Sequence, residues 1–306
     1  MRHNILLILG ALGPIFCLIM LGHVCKRRGF PSETFWPGAE RLTYFVLLPA
    51  LLAHRLALAD LGAYAVRPVA AVIAGALLLM SVLLFLLRPL LGVGGPAFSS
   101  IYQGGIRFNT YVGLAAAGAL FHQAGLTLAA LAMAIMIPLI NLLCVAVLAH
   151  ASGAFGWAGL LGSVLRNPLI LACLLGIGLN LSGLGLPLGS AEVLDLLARA
   201  ALPLGLLAVG AGLHLEVALT QPRELLLSTG CKLLALPALT YGLSALLGLG
   251  DLETAVLVLF AALPGAPSAY ILARQLGGDA PLMAAIVTVE TVASMATLPV
   301  IMLGLV

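Results

Sequence analysis

The stretch Gly104-Gly105-Ile106-Arg107-Phe108-Asn109-Thr110-Tyr111 decides how this chain is read. It places a guanidinium, a carboxamide, a hydroxyl and a phenol between two apolar runs, 97–103 and 112–120. Lipid tails solvate none of these groups. Polar residues at such depth are expensive, face the interior of a helix bundle and mark pathways. The Gly104-Gly105 pair is a place for the helix to unwind, and an unwound helix with polar residues at its midpoint is a common solute site in transporters.

Outside this stretch the chain is mostly apolar. Of 306 residues, 62% are hydrophobic and 8% are charged, against about 25% charged in soluble domains. With 14 basic and 11 acidic residues, a soluble surface of this size cannot be covered. The composition gives an all-α membrane protein. The apolar runs are continuous rather than alternating, which excludes a β-barrel. A net charge of +3, spread along the chain, gives no reason to expect nucleic acid. The partner implied by composition is the lipid bilayer.

Ten spans are expected, at 4–25, 40–58, 68–90, 98–121, 126–150, 167–183, 191–213, 224–248, 252–275 and 280–304. Turn signals separate them, among them Gly92-Val93-Gly94-Gly95-Pro96 and Gly277-Gly278-Asp279. The first 25 residues read as a retained helix, because Lys26-Arg27-Arg28 follows the apolar run rather than preceding it. No loop is long enough for a soluble domain. Counting Lys and Arg, eight fall on one side and four on the other. This favours both termini outside a cell membrane, a bacterial inner membrane being the expected one.

The halves echo each other. Leu48-Pro49-Ala50-Leu51-Leu52-Ala53 of the second span is paired with Leu202-Pro203-Leu204-Gly205-Leu206-Leu207-Ala208 of the seventh. Phe121-His122-Gln123-Ala124-Gly125 is paired with Ala273-Arg274-Gln275-Leu276-Gly277. Five spans per half is an odd number, so the second half is inverted: a first repeat at 1–152, a linker at 153–166 and a second repeat at 167–306. Gly153, Gly156, Gly159, Gly162 and Trp157 suggest an interfacial helix in the linker.

The residues also resemble a known family. Leu48-Pro49-Ala50-Leu51-Leu52, Phe108-Asn109-Thr110-Tyr111-Val112-Gly113-Leu114, Arg166-Asn167-Pro168-Leu169 and Pro264-Gly265-Ala266-Pro267-Ser268-Ala269-Tyr270 are similar to auxin efflux carrier family proteins. That family includes plant PIN-type auxin exporters and bacterial carriers of malonate and other organic acids. The resemblance implies the ten-helix, two-repeat fold of bile-acid symporters and sodium/proton antiporters. In it, broken spans 4 and 9 cross at the centre of a moving domain made of spans 3–5 and 8–10. Spans 1, 2, 6 and 7 form a scaffold that often dimerises. Many members carry proline where this chain has Ala115, so its span-4 break is expected to rest on Gly113 and the polar cluster.

The candidate substrate-binding residues are Arg107, Asn109, Thr110, Tyr111, Asn141, Pro267 and Ser268. Each has a structural reading beside the functional one. Arg107 can snorkel to headgroups, Asn109 can cap backbone, and Asn141 can bond another helix. Glu290, about ten residues into the last span, is either a coupling site for a proton or cation or a partner of Lys232 or Arg107. The five cysteines show no CxxC spacing and read as packing residues. No enzyme motif, cofactor or metal set is present. The expected function is secondary transport of small organic anions, mono- or dicarboxylates, by an elevator-like movement. A sodium- or proton-coupled cation antiporter, or a membrane sensor without transport, is the alternative.

Overall fold

The computed structural model describes residues 2–60, 62, 64–152, 162, 166–186, 189–217 and 221–305. Apart from Gly162 and Arg166, the expected interfacial linker lies outside them. The described residues are helical and contain no strand. In chain order the helices are α1 (Arg2–Arg27), α2 (Phe35–Leu42), α3 (Leu48–Ala57), α4 (Val66–Leu91), α5 (Gly95–Ile106), α6 (Thr110–Ser152), α7 (Pro168–Leu181), α8 (Ser190–Ala211), α9 (Pro222–Gly230), α10 (Leu236–Leu246), α11 (Asp251–Ala261), α12 (Ser268–Leu276) and α13 (Ala280–Leu303). Six helical stretches are long and apolar enough to cross a membrane: Ile5–Arg27, Val66–Leu91, Gly95–Leu148, Ser190–Ala211, Pro222–Leu246 and Ala280–Leu303.

The longest of these is not straight. His122 has φ 53° and ψ −139°, and Leu126 lies against Gly118, eight residues earlier. A straight helix would hold those positions about 12 Å apart. The chain therefore folds back at His122.

Two helices widen for a stated reason. Proline lacks an N–H and crowds the carbonyl four residues earlier. Before Pro49 and before Pro237 the turn opens, so that the Leu48 N–H reaches the Thr43 carbonyl and the Leu236 N–H reaches the Cys231 carbonyl. Each wide turn joins its flanking helices, α2 to α3 and α9 to α10. Leu202-Pro203 lies inside α8 with no such turn. In local geometry, therefore, Leu48-Pro49-Ala50-Leu51 matches Leu236-Pro237-Ala238-Leu239 rather than the seventh-span segment with which its sequence pairs.

Glycines set the closest helix contacts. A Cβ on Gly22 or Gly210 would run into the Leu207 or Ile19 carbonyl, so α1 and α8 touch backbone to backbone. Gly176 seats α7 on Ala53 and Leu56 of α3. These helices form one packed group with α2. In the other group, α5 packs on α6, α9 and α13, and α11 packs on α6 and α10. Tyr111 bridges the groups, its ring lying over Gly205 of α8. Apolar side chains such as Leu86, Leu174, Leu226 and Val300 point outward.

Candidate functional site

The site is built on two helix interruptions that meet. α5 runs through Gly104 and Gly105 without unwinding and stops at Ile106. Those glycines are packing positions: Gly104 faces Ser228, Ile286 and Glu290, and Gly105 faces Leu84. The helix ends because Arg107 is extended, with φ −75° and ψ 151°. α6 then starts at Thr110. Gly113 is not part of the interruption; it lies inside α6 against Phe260 and Leu263.

The first turn of a helix leaves N–H groups without partners. Asn109 supplies them. Its Oδ1 accepts from the N–H groups of Tyr111 at 3.1 Å and Val112 at 3.3 Å, the geometry of an N-cap. Its own N–H donates to the Pro264 carbonyl at 2.8 Å, tying the first interruption to the second. Asn109 is fully buried, and among the described residues its Nδ2 has no partner.

The second interruption runs from 262 to 267, between α11 and α12. Two buried ionisable side chains attend it. The Gly265 N–H donates to Glu290 Oε2 at 2.8 Å, and Ser228 Oγ donates to Oε1 at 3.2 Å. Lys232 Nζ donates to the Ala261 carbonyl at 3.0 Å. Both Glu290 and Lys232 are inaccessible to solvent. The ammonium satisfies the negative end of α11 and the carboxylate satisfies a freed N–H, which matches the polarity of a cut helix. Each charge also lies in the field of the other. A Cβ on Gly265 would come within 2.9 Å of Glu290 Oε2, so the carboxylate sits directly on the backbone.

A cavity of about 600 Å³ adjoins the two interruptions. Arg107, Thr110, Asn141 and Ser268, which the sequence singled out, line it. Arg107 is 8% exposed, and its guanidinium donates to Asn141 Oδ1 at 2.6 Å. It is held in the interior and does not snorkel. Thr110 and Ser268 are the first residues of α6 and α12, so two helix starts, with their partial positive charge, stand at the wall. Phe108, Ile137, Ile140, Val145, Leu169 and Leu272 make much of the remainder apolar.

Asn109, Tyr111, Pro267 and Glu290 do not line the cavity. Pro267 precedes α12; Asn109 caps α6, Glu290 accepts from Gly265 and Ser228, and Tyr111 lies against Gly205 of α8. Five polar lining residues were not singled out: Glu40, Arg41, Tyr44, Asn167 and Gln275. Asn167 carried a usable signal. It stands before Pro168 at a helix start, and its Oδ1 caps α7 through the N–H groups of Leu169 and Ile170, at 2.9 and 3.4 Å. Tyr44 is carried by the wide turn before Pro49, a feature that recurs at functional sites.

Residues 159–302 match the family of membrane transport proteins. An uncharacterized transporter of Methanothermobacter thermautotrophicus is 28% identical over 292 residues, covering 93% of this chain and 94% of that one. Both likenesses are to membrane transport proteins. With six helical stretches long and apolar enough to cross a membrane, the likeness supports a multi-pass membrane transporter.

Proposed function

We propose that this carrier is a secondary transporter of small organic anions and that the cavity beside the two interruptions receives the solute. The observation that carries the reading is Arg107: a buried guanidinium, oriented by Asn141, at the wall of a cavity with two helix starts and mostly apolar walls. Arginine pairs with a carboxylate through two parallel hydrogen bonds. Arg41 also stands in the lining, beside Glu40, so the cavity offers two guanidinium groups to a mono- or dicarboxylate with an apolar body.

In this reading the ten spans form two inverted repeats of five, with α2–α3, α5 plus the start of α6, α9–α10 and α11–α12 as composite spans. The group containing α1, α3, α7 and α8 is the scaffold and the surface for a homodimer. The other group moves against it like an elevator. With both termini outside, the cavity faces the cytoplasm, since its lining comes from the starts of α2 and α7 and the end of α12. Glu290 is the proposed coupling carboxyl. The alternative of a cation antiporter draws on the same Glu290, but both its oxygens already accept hydrogen bonds.

Titrating purified protein with aliphatic and aromatic monocarboxylates and with malonate tests the reading. Arg107→Gln is expected to weaken carboxylate binding by about 1.5–3 kcal/mol, the range for a hydrogen bond to a charged group. Unchanged affinity in folded Arg107→Gln protein removes the cavity from the solute path. Sodium binding without any anion binding favours the antiporter.

A further inference from the structure

A second cavity, of about 130 Å³, lies where the end of α1 meets the segment leaving α8. His23, Lys26 and Arg27 line it from α1, and His214 and Glu216 from the other side. Gly210 brings the walls together: a Cβ there would lie 2.9 Å from the His23 backbone nitrogen. His23 is thereby held 8% exposed, and among the described residues its Nε2 has no partner. Lys26 and Arg27 alone need no ligand, since basic residues at a helix C-terminus complement its dipole and anchor at headgroups. Neither role explains a buried, unpartnered imidazole nitrogen one turn deeper in the same concavity. The volume is about four times the ~30 Å³ that one water occupies in the liquid, enough for a tetrahedral oxyanion.

We propose that this basic pocket binds a phosphate group, supplied by an anionic lipid headgroup or by free phosphate. Lys26, Arg27 and the His23 Nε2–H donate to its oxygens. The pocket is connected to the rest of the carrier. The His214 N–H donates to Thr288 Oγ1 on α13 at 3.0 Å, and its ring centroid lies 6.5 Å from that of Tyr270 on α12. A phosphate held here therefore ties α1 to the segment that touches α12 and α13, and it stabilises the folded protein by mass action.

The test uses the full chain in phosphatidylcholine nanodiscs, followed by thermal unfolding. One arm adds inorganic phosphate against chloride at equal ionic strength; the other replaces part of the lipid with phosphatidylglycerol. A saturable rise in melting temperature is expected. Its midpoint should weaken about tenfold in Lys26→Gln or His23→Gln, the loss of one hydrogen bond to a charged group. Arg28→Gln removes the same charge one residue beyond α1 and should leave the midpoint unchanged. A rise only with phosphatidylglycerol identifies a headgroup site; a rise with phosphate in pure phosphatidylcholine identifies a free-anion site. No rise with either probe overturns the proposal. So does equal weakening by Arg28→Gln, which would mark general surface attraction.

Discussion

The two helix interruptions face the same physical problem and meet it with different groups. The first, at 107–109, is capped from within: Asn109 bonds the N–H groups two and three residues ahead. The second, at 262–267, is satisfied from outside by Glu290 on α13 and Lys232 in the wide turn after α9. A local neutral cap forms with its own helix and involves no buried charge. A pair of distant charges fixes three segments relative to one another, and either charge becomes a liability when the other is lost. The helix start after the first interruption is thus capped by local geometry, with one backbone bond to Pro264, whereas the second interruption is satisfied by side chains that the bundle brings to it.

The largest expected effect tests that contrast directly. Glu290→Ala should destabilise the protein by about 3–5 kcal/mol, because it frees the Gly265 N–H and leaves the Lys232 ammonium without its opposite charge. Adding Lys232→Met should recover part of the loss. Thermal unfolding of the single and double variants reads this, and additive losses would show that the two charges are independent. Glu290→Gln should cost less, about 1–3 kcal/mol, since its carbonyl can still accept from Gly265. If Glu290 carries a coupling proton, this variant binds solute but loses the pH dependence of transport. A wild-type pH profile would leave Glu290 as a structural residue only.

On the other side of the comparison, Asn109→Ala should lose about 0.5–2 kcal/mol, the range for an N-cap. Asn109→Asp, which keeps the acceptor, should retain most of the stability. A loss from Asn109→Ala as large as that from Glu290→Ala would erase the distinction between local and distant satisfaction. The smallest effect concerns orientation: single cysteines at Arg28 and Gly278, in a cysteine-depleted protein, should react with a membrane-impermeant reagent only from the cytoplasmic side. Reaction from outside alone would reverse the proposed placement of the cavity.

Much of this contrast is legible in the amino-acid sequence. Arg107 to Tyr111 announce an interruption because polar side chains and a helix stop occupy the same few residues. Glu290 stands out because a carboxylate ten residues into an apolar span has no water to meet. Gly104 and Gly105 mislead, because a glycine pair reads the same whether it loosens a helix or admits a neighbour. Here Glu290 and Leu84 press against them, and the helix continues. Spacing along the chain offers no ground for choosing between Lys232 and Arg107 as the partner of Glu290. The structure sends Arg107 to Asn141 and Lys232 to Ala261.

By itself, then, the sequence determined that the chain is helical, lies in a membrane and is interrupted near residue 107, because hydrophobicity, helical propensity and capping act over a few neighbouring residues. Only the tertiary structure decided which groups satisfy the second interruption, which polar residues share a cavity, and that Asn109 faces backbone rather than that cavity. Those outcomes depend on which helix faces lie within about 3 Å of each other, a distance set by bundle packing; the side-chain bonds at the second interruption join residues 25 to 62 positions apart along the chain.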